Sequence, residues 1–203
     1  MLRGVLWDEG HYHERTEDLF AALPKEANIN PGAPPYPGAF YGDFDLSIPE
    51  TVYSDSVDLV WDLLRWEAYE QAQREPLLVS FLHSTILNHP SLESSLAFLL
   101  ANRLQAPGMM ISTQLQSIIL QALQSCPIFR RSLRADIMAV RDRDPACNQL
   151  PDAFLYFKGF HALQSYRVAH ALWGSGKQVL ASFLQSQVSQ TFQIDIHPNA
   201  TLG

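Results

Sequence analysis

The 203-residue sequence carries 14 Lys or Arg against 21 Asp or Glu, a formal net charge of -7, with 47% hydrophobic and 17% charged residues. That length and apolar content suit one buried core with an appendage. Residues 1–50 hold three Lys or Arg and nine Asp or Glu, so the remainder is nearly neutral and a nucleic-acid partner is excluded on electrostatic grounds. Two cysteines, Cys126 and Cys147, are too few for a disulfide framework, and no secretory signal precedes them, so a reducing cytoplasmic compartment is expected. The acidic start does not suit an organellar transit peptide.

In chain order, residues 1–50 read as a loose acidic extension. They contain six of the 13 prolines and five of the 10 glycines, including PGAPPYPGAF at 31–40. His11-Tyr12-His13 has a metal-like spacing but no third ligand nearby, and no metal site is expected. The periodicity then changes to helix. Val57, Val60, Trp61, Leu64 and Ala68 form one stripe and predict a helix over 55–74. Further stripes follow in Leu78, Phe81 and Leu82; in Leu92, Leu96, Leu99 and Leu100; and in Leu115, Ile118, Ile119, Ala122 and Leu123. Residues 104–129 are uncharged, but Pro107, Pro127 and five glutamines oppose membrane insertion. Helices are also predicted over 129–141, 151–173 and 177–192, the last two separated by Gly174-Ser175-Gly176. The fold class is therefore all-α, a bundle of about seven helices over 51–193.

The last ten residues, 194–203, break this pattern. Ile196 and Leu202 lie six apart, with Ala200 between them and Gly203 after, which is the opening of a hexapeptide rhythm. Repeated, that rhythm builds a left-handed parallel β-helix whose coils bury a core only when several are stacked.

Several phrases carry a family resemblance in order: Ala135-Asp136-Ile137 with Ala139-Val140-Arg141-Asp142-Arg143-Asp144-Pro145-Ala146; Tyr156-Phe157-Lys158-Gly159-Phe160-His161-Ala162-Leu163-Gln164; Tyr166-Arg167 followed by His170; and Gln187-Val188-Ser189 leading to Asp195-Ile196-His197-Pro198. From about 57 to 203 the sequence resembles the amino-terminal domain of serine O-acetyltransferases, with a plant-like tone. The resemblance implies acetyl transfer from acetyl-CoA, a co-substrate, to the hydroxyl of L-serine, in the service of cysteine biosynthesis, with no cofactor. A serine hydroxyl is a weak nucleophile near neutral pH, so a histidine base with an orienting carboxylate suits the chemistry. By resemblance Asp195 is that carboxylate, and Asp144 with Pro145 belongs to the serine-binding site. The base itself belongs, by resemblance, to a Leu-Asp-His-Ala-Thr-Gly phrase in the early coils. That phrase does not occur within residues 1–203, so these residues alone are expected not to turn over.

The family also implies trimers paired through their helical domains, hence a homo-oligomer. Its docking tail for O-acetylserine sulfhydrylase is not among these residues, so that partner is not expected here. The alternative is a non-catalytic helical oligomerisation module. His83, His161 and His170 fall in helices and read as packing residues rather than bases, and His197 as serving the turn it sits in. Arg130, Arg131, Arg134, Arg141 and Arg143, interleaved with Asp136, Asp142 and Asp144, read as one salt-bridged helix face.

Overall fold

The computed structural model describes residues 58–125 and 127–202. The extension 1–50, its His11-Tyr12-His13 and Cys126 lie outside the described residues. Eight α-helices occur among those described: α1 (Leu59–Arg74), α2 (Val79–Leu82), α3 (Leu92–Leu104), α4 (Ser112–Ser125), α5 (Pro127–Arg143), α6 (Leu150–Tyr156), α7 (Lys158–Gly174) and α8 (Gln178–Phe192). A 3-10 turn, Pro76–Leu78, precedes α2, and a π turn, His83–Leu87, follows it.

Most residues of the predicted stripes enter the core, but Phe81, 37% exposed, does not, and Leu78 and Ile118 are only partly buried. Leu64, Leu82, Leu96, Leu100, Ile119, Leu133, Ile137 and Phe154 are fully buried, drawn from six different helices of the chain. Capping follows local chemistry. The Asp58 carboxylate accepts the Trp61 amide at 3.1 Å to start α1, and the Ser91 hydroxyl accepts the Ser94 amide at 3.2 Å to start α3. Gly176, at φ +80°, closes α7 with Lys177 N–H on the Leu172 carbonyl and Gly176 N–H on the Trp173 carbonyl. A left-handed residue at that position lets α8 fold straight back along α7.

One predicted helix is two. The expected helix over 151–173 breaks at Phe157, whose backbone is extended at φ -80°, ψ 108°. Ending a helix there frees carbonyls that must find donors elsewhere. Arg103 Nη2 donates to the Leu155 carbonyl at 2.5 Å, and His161 Nε2 donates to the Phe154 carbonyl at 2.7 Å. Side chains from α3 and α7 thus stabilise a break that periodicity alone does not announce.

The arginines of α5 also depart from the expected single salt-bridged face. Arg134, 2% exposed, binds the Asp58 carboxylate with Nε and Nη2 and donates from Nη1 to Glu93 at 2.6 Å. Arg130 joins it on Glu93 at 3.2 Å, Arg141 pairs with Glu67 at 3.3 Å, and Arg167 on α7 pairs with Asp136 at 2.9 Å. These pairs tie α5 to three other helices and to the start of the first. Burial disfavours the Arg134 charge, yet Asp58 and Glu93 outweigh it and hold the guanidinium above its ordinary pKa. Burial alone would raise the Glu93 carboxyl, but Arg134 and Arg130 hold it below the usual range.

Beyond α8, residues 194–202 adopt neither helix nor strand, and the β contact among the described residues is an isolated bridge between Ala106 and Met110.

Candidate functional site

Between the C-terminal half of α5 and the N-terminal end of α7 lies an open groove of about 840 Å³. Val140, Arg143, Asp144 and Pro145 form one side, and Phe157, Lys158 and Phe160 the other. Asp144 ends α5, its amide on the Val140 carbonyl at 2.9 Å. Its Oδ1 accepts the Ala146 amide at 2.9 Å and its carbonyl accepts the Cys147 amide at 2.9 Å, a local turn that Pro145 stiffens. Among the described residues Oδ2 has no hydrogen-bond partner, so a carboxylate oxygen is left to accept from a ligand cation. Lys158 and Arg143 add positive charge to the same groove, while Asp136, also on its wall, is neutralised by Arg167 and accepts from Gln164 Nε2 at 2.8 Å.

The loop carrying Asp144 is held from behind by α1. Glu67, 3% exposed, accepts the Leu150 amide at 2.6 Å and pairs with Arg141, so one carboxylate grips both flanks of the loop. One turn further along α1, Gln71 Nε2 donates to Gln149 Oε1 at 2.9 Å. Asp152 Oδ2 accepts the Gln149 amide at 3.0 Å and caps α6. Burial pushes the Glu67 carboxyl above its ordinary pKa, with Arg141 and the Leu150 amide opposing that rise.

Asp195 is elsewhere. It is exposed, just past the end of α8, and is not part of the groove wall. Gln193 turns the chain there with a left-handed φ of 62°, and Gln185 Nε2 donates to Asp195 Oδ1 at 2.8 Å. The structure therefore brings Asp144 and Pro145 together but does not bring Asp195 to them.

The helical histidines divide in role. His161 is fully buried; its Nε2 must carry the proton, because the Phe154 carbonyl can only accept, and its Nδ1 has no partner. Burial lowers its pKa to about 4, with the Phe154 bond opposing and Arg103 adding to the fall. It is a neutral packing residue, as expected. His83 Nδ1 meets Asn88 Oδ1 at 3.3 Å at the surface. His170 is more than packing: its Nδ1 donates to the Pro198 carbonyl at 2.7 Å, reaching the terminal segment. His197 serves its own turn, accepting the Asn199 amide at 3.1 Å on Nδ1.

Sequence reasoning missed Gln185 as a partner of Asp195 and missed Glu67 altogether. The spacing of Tyr166, His170 and Trp173 along one helix face was a usable signal for residues 197–200.

A family model described as serine acetyltransferase, N-terminal, matches residues 60–165. The chain is 50% identical over 148 residues to probable serine acetyltransferase 4 of Oryza sativa subsp. japonica, covering 73% of this chain and 47% of that protein. It is 45% identical over 149 residues to serine acetyltransferase of Escherichia coli (strain K12), covering 73% of this chain and 54% of that one. Among solved structures, a serine acetyltransferase in complex with CoA superposes with a TM-score of 0.68 at 49% identity, over 71% of this chain and 61% of the other. Soybean serine acetyltransferase complexed with serine gives 0.66 at 45% identity, over 68% and 57%. The chain spans about half the length of the curated relatives it matches.

Proposed function

Because the chain belongs to the serine acetyltransferase family, we propose that it forms the helical part of an enzyme that transfers the acetyl group of acetyl-CoA to the hydroxyl of L-serine. In this reading the serine oxygen attacks the thioester carbonyl; a C–O bond forms, the C–S bond breaks, and a histidine base takes the hydroxyl proton and returns one to the departing CoA sulfur. Asp144 accepts from the serine ammonium, with Pro145 fixing its turn. Asp195 orients the histidine, which lies in a phrase not found in residues 1–203. Ile194 onward leads into left-handed β-helix coils. The cytosol is the compartment.

The observation that supports this best is Asp144, one oxygen held by its own loop and the other turned to no protein donor, on the wall of a groove that also carries Lys158. Relatives solved with serine and with CoA agree with a serine and a CoA site in the same enzyme. Large apolar side chains stand in solvent, Leu77 at 98% and Val179 at 87% exposure, and favour a homo-oligomer.

The test joins residues 1–203 to the coil region of the soybean relative and measures CoA release from acetyl-CoA with L-serine. Turnover is expected, and Asp144→Ala is expected to raise the serine KM about 100-fold while leaving the acetyl-CoA KM unchanged, the effect of removing one charged hydrogen bond. A folded hybrid that releases no CoA would overturn the reading.

A further inference from the structure

Three side chains on one face of α7 have no part in the scheme above. Tyr166, His170 and Trp173 are spaced by four and three residues, and all reach the same short stretch of chain. The Tyr166 hydroxyl donates to the Ala200 carbonyl. His170 Nδ1 donates to the Pro198 carbonyl at 2.7 Å, and the Trp173 ring meets the His197 ring edge-on at 5.0 Å between centroids. The stretch is also closed on itself, with the Ala200 amide on the His197 carbonyl at 2.9 Å.

Asp195 lies two residues before this stretch. On its other side the chain is fixed by α8, through the left-handed Gln193, whose amide bonds the Ser189 carbonyl at 3.0 Å, and through the Gln185 bond to Asp195 itself. Residues 194–202 have no helical or sheet hydrogen bonds to order them. Ordering each residue costs about 1–2 kcal/mol of backbone entropy, so side-chain anchors must supply the compensation. Without the α7 face, Asp195 would hang from one anchored end.

We propose that Tyr166, His170 and Trp173 are positioning residues for Asp195. They clamp residues 197–200 to α7 so that the carboxylate is presented at a fixed height and direction to the histidine base. The proposal rests on the reading of Asp195 as the orienting carboxylate. None of the three touches a reacting atom in this scheme.

The test uses the ¹⁵N-labelled 203-residue protein, following amide hydrogen exchange at Asn199 and Ala200 and the NMR signal of the Gln185 side-chain amide, which reports on the Asp195 carboxylate. His170→Phe keeps the ring but removes the donor; His170→Asn restores a donor nitrogen at the position of Nδ1. The Phe variant is expected to speed exchange at Asn199 and Ala200 about tenfold and to shift the Gln185 signal, with core amides of α7 and α8 unchanged. The Asn variant is expected to return both readouts toward the parent, and Tyr166→Phe to reproduce the loss. Unchanged exchange in both Phe variants would overturn the proposal. So would a rise spread across α7 and α8, which would mark these as core residues only. No turnover is needed, so this test can fail while the acetyl-transfer reading stands; an inert hybrid would remove the catalytic role of Asp195 on which the proposal rests, without altering the exchange readouts.

Discussion

Glu67 accepts the Leu150 amide at 2.6 Å across 83 residues of sequence, and the same carboxylate pairs with Arg141 at 3.3 Å. A buried acid on α1 therefore fixes the beginning of α6 and the end of α5, between which Asp144 sits. Removing it leaves an Arg141 guanidinium that is 15% exposed without its counter-charge. Glu67→Ala is expected to cost about 3–5 kcal/mol of unfolding free energy, the range for breaking a buried ion pair, and to speed hydrogen exchange at Ala146 and Cys147. Glu67→Gln, which keeps an acceptor for Leu150, is expected to lose less; urea unfolding measures both.

The ion pairs of α5 make a second prediction. Arg134→Leu takes the ion partner from Asp58 and leaves Glu93, 2% exposed, with the more exposed Arg130, and is expected to lower stability by about 3–5 kcal/mol. Arg134→Lys keeps the charge but not the fork that spans two carboxylates, and is expected to fall between. The urea midpoint is the readout, at constant denaturant slope. Because Glu93 has a folded pKa below its ordinary value, its contribution is present above about pH 4.5 and is lost as pH falls below that.

These interactions also mark where sequence reading stops. The helices themselves were legible, since stripes such as Leu92, Leu96, Leu99 and Leu100 need only local periodicity and all four are buried. The break at Phe157 was not, because Arg103 and His161 make it tolerable and one of them is on another helix. Nor were the partners of the α5 arginines, whose carboxylates lie 37 to 76 positions away. Asp144 was singled out by its motif and lies on the groove wall, whereas Gln185 and the α7 face became partners of the terminal segment only once α8 had folded back along α7.

His161 gives a pH prediction. Its folded pKa of about 4 lies below the ordinary 6.5, so the protein folds with the neutral ring. Stability from this group is complete above pH 6.5 and is lost as pH falls toward 4, a total on the order of 3 kcal/mol. His161→Gln retains an amide donor for the Phe154 carbonyl and has no proton to take up. Between pH 6.5 and 4 its stability is expected to fall less steeply than the parent's in urea titrations; parallel curves would contradict the assignment.

The most direct measurement is the kcat of Asp195→Asn in the hybrid that joins residues 1–203 to the coils of the soybean relative. An orienting carboxylate that stabilises the imidazolium predicts a fall in kcat of about 100-fold to 10,000-fold, with the serine KM little changed. A kcat equal to the parent's, in a protein that still folds and still needs Asp144 for serine, would contradict the role given to Asp195.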